Sequence, residues 1–179
     1  MSRCLNLTLF CAAGCLLASC ATQTEPLVST DIGHRMRGVR TTAYTHTERG
    51  GRRNALGIYL SGRHVMSAAS DWSRWPLGTR FRIVDTNEEY IIDDYGTALI
   101  GTATIDLYKS SRRDMKRWGC RFVDIDILQW GSEEQSLKVL GPRKKHRTVR
   151  RMIAALEQRQ KKQLVASLER KKPEQKKKI

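Results

Sequence analysis

The stretch RFVDIDIL, residues 121–128, alternates apolar and acidic side chains. Successive side chains of an extended chain point to opposite faces, so Val123, Ile125 and Ile127 would share one face and the two aspartates between them the other. Phe122 would fall on the same side as the aspartates. The stretch therefore predicts a strand with one buried face and one solvated face.

Six further segments are short, rich in β-branched and aromatic residues, and separated by Gly, Pro, Asn or Asp, which favours strands joined by turns. They are residues 39–45, 58–60, 64–69, 79–84, 89–93 and 102–105. The motif SRRD at residues 111–114 resembles a capping box and predicts a short helix that stops at Gly119. Many short strands and one short helix over roughly 95 residues favour a small β-barrel.

The positive charge of the chain is concentrated at its C-terminal end. The 179 residues include 33 Lys and Arg and 18 Asp and Glu, a net charge of +15. Residues 143–179 hold 15 Lys and Arg against 3 Asp and Glu, or +12, which leaves +3 for the rest. The body is therefore ordinary in composition, and the charge does not by itself indicate a nucleic-acid partner.

The basic tail, residues 143–179, carries apolar residues at helical spacing. Val149, Met152, Ile153 and Leu156 follow the i, i+3, i+4, i+7 pattern, and Leu164, Val165 and Leu168 continue it more weakly. This predicts a basic amphipathic helix joined to the barrel by a linker, residues 131–142. Two interpretations remain open: adsorption to anionic lipid or acidic wall polymer, or a solvated and half-disordered extension.

The N-terminal segment indicates export. An apolar run, residues 5–17, follows Arg3 and is too short for a membrane-spanning helix. It ends in LASC, which resembles the bacterial lipobox, so residues 1–19 are a predicted signal and Cys20 the predicted lipidated N-terminus. An Asp directly after the lipidated cysteine resembles an inner-membrane retention signal, and this chain has Ala21 at that position. We therefore expect a lipid-anchored envelope protein on the outer membrane, facing the periplasm. The alternative is a plain secretory signal cut near Ser19.

Residues 20–38, with Thr, Ser, Gln and Pro26, are the predicted tether between the lipid and the barrel. Four of the five cysteines precede this tether or begin it, which leaves Cys120 alone in the body, with an expected role in core packing. A single thiol allows neither an internal disulfide nor a cysteine-based metal site. No Walker loop, HExxH or Ser-His-Asp ordering is present, so we expect no metal and no cofactor.

The remaining candidates for a catalytic role are three aspartates beside small residues at strand or loop edges: Asp71, Asp94 and Asp106. Taken singly, each is more typical of a turn, where an Asp side chain bonds nearby backbone amides. Their order and their surroundings give a further indication.

Five pieces occur in order with these aspartates: TAY at 42–44, Asp71 ahead of WPLGT at 75–79, DYGTALIG at 94–101, IDLY at 105–108, and WG at 118–119 ahead of VDI at 123–125. Together they resemble the three-aspartate (3D) domain. This is the double-psi β-barrel of membrane-bound lytic transglycosylase A and of stationary-phase wall-remodelling proteins. The resemblance implies a six-stranded double-psi β-barrel over residues 39–130, with one or two short helices, followed by the basic helical tail.

The resemblance also implies an activity, the lytic cleavage of the β-1,4 bond between N-acetylmuramic acid and N-acetylglucosamine with formation of a 1,6-anhydro ring. It makes Asp106 the acid and base, Asp94 the second carboxylate, and glycan strands of peptidoglycan the partner. The implied substrate-binding residues are Asp71, Thr42, Tyr44, Gly96, Thr97 and Gly101. The alternatives are an envelope lipoprotein that binds peptidoglycan without cleaving it, and a structural lipoprotein whose tail is the functional part.

Lipidation of Cys20 can be tested directly. We expect the mature chain to begin at Cys20 and to partition with detergent-extracted membranes, because a multiply acylated cysteine binds far more tightly than one acyl chain. The Cys20→Ala variant should be released or left uncleaved, as measured by membrane fractionation and mass spectrometry of the N-terminus. A fully soluble wild-type protein with a free amino group at Ala21 would contradict the prediction.

Overall fold

A computed structural model describes residues 34–48 and 50–175, with side chains as far as residue 170. The predicted signal, Cys20 and most of the predicted tether lie outside the described residues. The strands are β1 (Arg35–Tyr44), β2 (Val65–Ala69), β3 (Arg80–Ile83), β4 (Glu89–Asp94), β5 (Ile105–Tyr108) and β6 (Arg121–Gln129). The helices are α1 (Arg112–Trp118), α2 (Glu133–Leu140) and α3 (Arg147–Gln175), with 3-10 turns at Thr97–Leu99 and Gly141–Arg143.

The six strands close into a barrel in the order β1-β5-β2-β4-β3-β6, with β6 pairing back to β1. The pairs β1–β5 and β2–β4 are parallel, and the other four pairs are antiparallel. Closure leaves no edge strand in the sheet. The fold class predicted from the sequence, a small six-stranded barrel with short helices and a basic C-terminal helix, is confirmed.

Strand β6 forms as the alternation in residues 121–128 predicts. Val123, Ile125 and Ile127 are buried in the core, whereas Phe122 is 70% exposed. On the solvated face, Asp126 accepts a hydrogen bond of 2.8 Å from Arg35 Nε at the start of β1. The two faces of the strand thus do different work, one filling the barrel and the other bonding to its neighbour.

The short helix predicted from the motif at residues 111–114 also forms, with Ser111 as its N-cap. Ser111 Oγ accepts from the backbone N–H of Asp114 at 3.1 Å and donates to Asp114 Oδ2 at 2.6 Å. Helix α1 then ends at Gly119, whose φ of 63° is a conformation that favours glycine. Cys120 follows in this turn and is exposed, so the predicted core role of this residue is wrong. It precedes β6, where burial of alternate side chains begins.

The predicted strand at residues 58–60 is not formed. Asn54 Oδ1 accepts the backbone N–H groups of Leu56 and Ile58, both at 3.0 Å, and this local bonding keeps the segment in a turn. Ile58 and Tyr59 are 59% and 63% exposed, and the segment makes only an isolated bridge from Arg53 to Tyr59. The barrel therefore has six strands and a long connection between β1 and β2.

Two other boundaries differ from the prediction. The strand expected at 102–105 starts at Ile105 and continues to Tyr108, because it pairs with β1 from Thr41 to Tyr44. Strand β1 begins at Arg35, within the predicted tether of residues 20–38, since antiparallel pairing with β6 extends to Asp126. A register shift after Met36 accommodates this extension.

The segment predicted as a linker, residues 131–142, contains helix α2. Ser132 caps the helix by accepting from the backbone N–H of Gln135 at 3.1 Å. Ser136 Oγ accepts from the backbone N–H of Leu77 at 2.9 Å, and Leu140 is fully buried. Helix α2 is therefore bonded to the barrel and contributes to its core.

The first half of α3 packs on the folded domain, so this part of the predicted tail is neither a solvated extension nor free to adsorb to a surface. Val149, Met152 and Leu156 are at most 1% exposed and belong to the same core cluster as Trp72 and Trp75. The apolar stripe is covered because α2 and the loop after β2 provide it with a partner. Arg159, one turn further on, bonds Glu133 Oε1 at 3.0 Å and the carbonyl of Ser73 at 3.1 Å.

Among the described residues, no helix combines the length and the apolar character needed to cross a bilayer.

Packing of α3 predicts a difference between two leucines of the same helix. Leu156→Ala should lower the free energy of unfolding by about 2–5 kcal/mol, because a fully buried leucine is truncated. Leu168→Ala is the matched control: Leu168 is 54% exposed, so a change within about 0.5 kcal/mol is expected. Urea unfolding followed by circular dichroism measures both. Equal stabilities of the two variants would show that α3 does not pack on the barrel.

Candidate active site

The strand order brings both predicted catalytic aspartates to one row of the barrel. Thr42 on β1 pairs with Asp106 on β5, and Asp106 pairs with Ala69 on β2. Ala69 pairs in turn with Asp94 on β4. Asp94 and Asp106 therefore lie two strands apart, at a Cα separation of roughly 9–10 Å from two interstrand steps.

A register shift positions Asp94. Ala68 pairs with Ile92 but Ala69 pairs with Asp94, so Asp93 is an extra residue on β4. Such bulges turn the following side chain and are frequent beside functional sites. The carbonyl of Asp94 is fixed in place, since it accepts Trp72 Nε1 at 2.8 Å and the backbone N–H of Ser70 at 3.1 Å.

Both carboxylates line an open groove of about 510 Å³ beside the barrel. Of the other residues implied by the resemblance, Tyr44 and Gly96 also line this groove. The opposite wall is the connection between β1 and β2, from Thr45 to Leu60. The sequence thus brings four predicted site residues to one cavity that a ligand can enter from solvent.

Burial dominates the ionisation of Asp94. It raises the pKa of this carboxyl from 3.8 to about 6, helped by the negative charge of the adjacent Asp93. The backbone amides of Tyr95 and Ala55 and the guanidinium of Arg143 act in the opposite direction. A carboxyl group with a pKa near 6 gains and loses its proton close to neutral pH, which is the property that acid–base catalysis requires.

Asp106 combines burial with one strong hydrogen bond. Burial raises the pKa of its carboxyl, the Thr42 hydroxyl lowers it, and the negative charge of Glu48 raises it again. Thr42 Oγ1 donates to Asp106 Oδ1 at 2.6 Å, which fixes the orientation of the carboxyl group. Among the described residues, Asp106 Oδ2 accepts no hydrogen bond, so this oxygen is free to meet a ligand.

Tyr44 supplies a hydroxyl group to the same groove. Its oxygen is buried and, within the part of the chain that the structure describes, has no hydrogen-bond partner. Burial raises the pKa of the Tyr44 phenol, and so do the charges of Asp94, Asp93 and Asp106. The phenol therefore stays protonated and can donate a hydrogen bond to a bound ligand.

Four residues implied by the resemblance do not line the groove: Thr42, which contacts it only through its hydrogen bond to Asp106, and Asp71, Thr97 and Gly101. Asp71 is 2% exposed; its Oδ1 accepts from Ser73, and its Oδ2 accepts from the backbone N–H of Gly101 at 2.6 Å. Asp71 thus bonds the loop that follows Asp94 and is buried away from the groove. Thr97 and Gly101 are exposed on this loop, and the φ of +87° at Gly101 explains the glycine.

Arg143 is a groove residue that the sequence did not reveal. Its guanidinium donates to the carbonyl of Ala55 at 2.6 Å and lies 5.9 Å from the centre of the Tyr95 ring. The backbone N–H of Ala55 in turn lowers the pKa of Asp94. Arg143 therefore holds the far wall of the groove against the carboxylate side. In the sequence it was one of many basic residues in the tail, with no signal to distinguish it.

The connection between β1 and β2 is held from beneath by a second buried carboxylate. Asp93 Oδ2 accepts from Asn54 Nδ2 at 2.8 Å and from Ser67 Oγ at 2.7 Å. Asn54 also organises the turn that follows it, through its Oδ1. The Asp-Asp pair at 93–94 thus has divided roles, with Asp93 bonding the loop and Asp94 facing the groove.

Comparisons with known proteins add little to this site. No protein family and no curated protein gives a significant match to the chain. Among solved structures, a Streptomyces papain inhibitor aligns with 55% of this chain and 98% of its own, at 15% sequence identity and a TM-score of 0.37.

The raised pKa values predict that the groove carboxylates reduce stability. Because folded Asp94 retains a proton up to about pH 6 and the unfolded chain loses it near 3.8, stability falls as pH rises through this window. Asp94→Asn should therefore raise the melting temperature at pH 7.5 and leave it unchanged at pH 3.5. Differential scanning calorimetry at the two pH values measures the effect.

Asp126→Asn is the control with the opposite sign. The Arg35 guanidinium lowers the pKa of Asp126, so its charge contributes stability that is present at pH 7.5 and is lost only as pH falls. This variant should melt earlier than wild type at pH 7.5. If Asp94→Asn instead lowered the melting temperature at pH 7.5, Asp94 would be bonded as a structural carboxylate.

Proposed function

We propose that this chain is a peptidoglycan lytic transglycosylase, tethered through Cys20 to a membrane of the bacterial envelope. One observation carries the proposal: Asp94 and Asp106 open onto the same groove, each with burial acting to keep its proton. If either were sealed in the barrel or bonded only to backbone, the groove would lack its acid pair. The motif resemblance supplies the substrate class, since the geometry alone does not name a sugar.

The first half of the reaction needs a proton donor. Asp106 in its protonated form would give its proton to the oxygen that links C1 of N-acetylmuramic acid to N-acetylglucosamine. The bond from C1 to this oxygen breaks, and the N-acetylglucosamine leaves with a 4-hydroxyl group. Burial and the nearby Glu48 favour the protonated acid that this step requires. The sugar ring is left with positive charge at C1, as in other glycoside cleavages.

The second half needs a base at the same position. The Asp106 carboxylate takes the proton of the C6 hydroxyl while that oxygen bonds to C1 and closes the 1,6-anhydro ring, which restores the acid. The hydrogen bond from Thr42 Oγ1 stabilises this ionised form and keeps Oδ2 available. One carboxyl group thus serves as acid and then as base, and no water is consumed.

The remaining groove residues would stabilise charge, bind the sugar and form the second wall of the groove. Asp94, when ionised, would stabilise the positive charge at C1 from two strands away. Tyr44 has a buried hydroxyl that can donate to a sugar oxygen. The wall that faces them is supplied within the chain, by the connection between β1 and β2 that Arg143 holds. The groove therefore has two walls, both supplied by the described residues.

Product analysis after incubation with purified sacculi tests the proposal. Wild-type protein should release muropeptides that end in 1,6-anhydromuramic acid, detected by mass spectrometry. Asp106→Asn should reduce this release by about a thousandfold or more, because it keeps the shape and removes the transferable proton. Asp94→Asn should reduce it less. Asp126→Asn, an aspartate on the outer face of β6, should retain wild-type activity.

The form of the product and the binding of sacculi separate the alternatives. Products with ordinary reducing ends would exclude the transglycosylase mechanism. Sedimentation with sacculi in the absence of any released product would favour a lipoprotein that binds peptidoglycan without cleaving it.

A further inference from the structure

The second half of α3, residues 160–175, has no partner among the described residues. The last contacts of the helix with the domain are those of Arg159 with Glu133 and Ser73. The helix then continues for 16 residues to Gln175, which at 1.5 Å per residue is about 24 Å. We call residues 160–175 the distal arm.

The apolar residues of the distal arm are exposed and lie on a new face of the helix. Leu164, Val165 and Leu168 are 60%, 45% and 54% exposed. At 100° per residue, their mean direction is rotated by roughly 130° from that of the buried stripe through Val149 and Leu156. They therefore do not continue the surface that packs on the barrel, and lengthening that contact would not bury them.

The charge of the distal arm is mainly positive. Residues 160–175 hold five Lys and Arg against two Glu, a net charge of +3, and three further lysines follow in the sequence at 176–178. Lys161 lies on the same face, three and four residues before Leu164 and Val165, and Lys162 borders it; both are exposed. Basic side chains thus surround the exposed apolar residues.

We propose that the distal arm adsorbs to an anionic lipid bilayer. A bilayer surface offers both chemistries that the arm presents: anionic headgroups attract the lysines, and the acyl boundary takes the leucines and the valine. An acidic wall polymer would match the charge but leave the apolar side chains in water. A second copy of the arm would cover the apolar side chains but bring two cationic segments together.

The consequence is a second, reversible membrane contact at the opposite end of the chain from Cys20. Two weak signals bind a membrane far more firmly than one, because the second acts at high local concentration. The contact is independent of the groove, so it stands whether or not the protein cleaves glycan.

Vesicle sedimentation tests the proposal with the chain produced without the predicted signal, residues 1–19, and carrying Cys20→Ala, so that neither an apolar signal nor an acyl anchor contributes. The protein with an unchanged distal arm should bind vesicles made of equal parts phosphatidylglycerol and phosphatidylcholine. It should bind vesicles of pure phosphatidylcholine much more weakly. Replacing Lys161 and Lys162 by Gln should weaken binding roughly 30-fold. The same change at Lys144 and Lys145, which are exposed before α3, removes equal charge and should weaken it less than roughly threefold.

A second pair of variants tests the apolar face. Replacing Leu164, Val165 and Leu168 by Ser should weaken binding roughly tenfold or more. Phe122→Ser, which removes an exposed aromatic side chain from β6, should leave it unchanged. All of these positions are exposed, so thermal melts should match wild type.

Three results would overturn the proposal. Equal losses from the two lysine pairs would mean that only net charge matters. Binding to sacculi without binding to vesicles would make the partner a wall polymer. A concentration-dependent dimer that the triple variant abolishes would make it a second copy. Asp106→Asn should bind vesicles like wild type, so failure of this proposal and failure of the proposed activity are separate outcomes.

Discussion

Strand β2 sets the constraint on which the candidate site depends, because it pairs with β4 in parallel and with β5 in antiparallel fashion. Both neighbours place an aspartate opposite Ala69. The side chain between Asp94 and Asp106 is therefore only a methyl group, which leaves space above it for a ligand. A larger residue at this position would fill the row between the carboxylates. A one-residue slip between β2 and one of its two neighbours would turn the aspartates to opposite faces.

Local features of the fold could be predicted from the sequence, and long-range ones could not. The alternation around Ile125 and the short helix after Ser111 depend on neighbours in the chain, and both formed as predicted. The register of β5 depends on β1, about 60 residues away, so its start was misplaced. The segment at Ile58 has a strand-like composition, but the backbone N–H of Ile58 donates to the Asn54 side chain and not to a neighbouring strand.

The candidate site also has residues that could be predicted from the sequence and residues that could not. Asp94 and Asp106 could be predicted because they lie in short motifs whose order resembles a known domain, whereas Arg143 lies in a charge run that any solvated helix could carry. Its role depends on one carbonyl, that of Ala55, more than 80 residues earlier. The apolar stripe of α3 was visible as a pattern, but periodicity does not say whether a surface exists to cover Leu156. That answer required the positions of α2 and the loop after β2.

The pairing of β1 with both β5 and β6 ties the first strand of the barrel to its last two. The hydrogen bond between Thr42 and Asp106 closes a loop of 64 residues, and such pairings form late because the entropy of closing the chain opposes them. A chain that is synthesised only as far as β5 lacks β6 and cannot close the barrel. Without closure, the buried surroundings that raise the pKa of Asp94 are incomplete. The topology itself therefore delays the appearance of a paired-carboxylate groove until the whole domain has emerged.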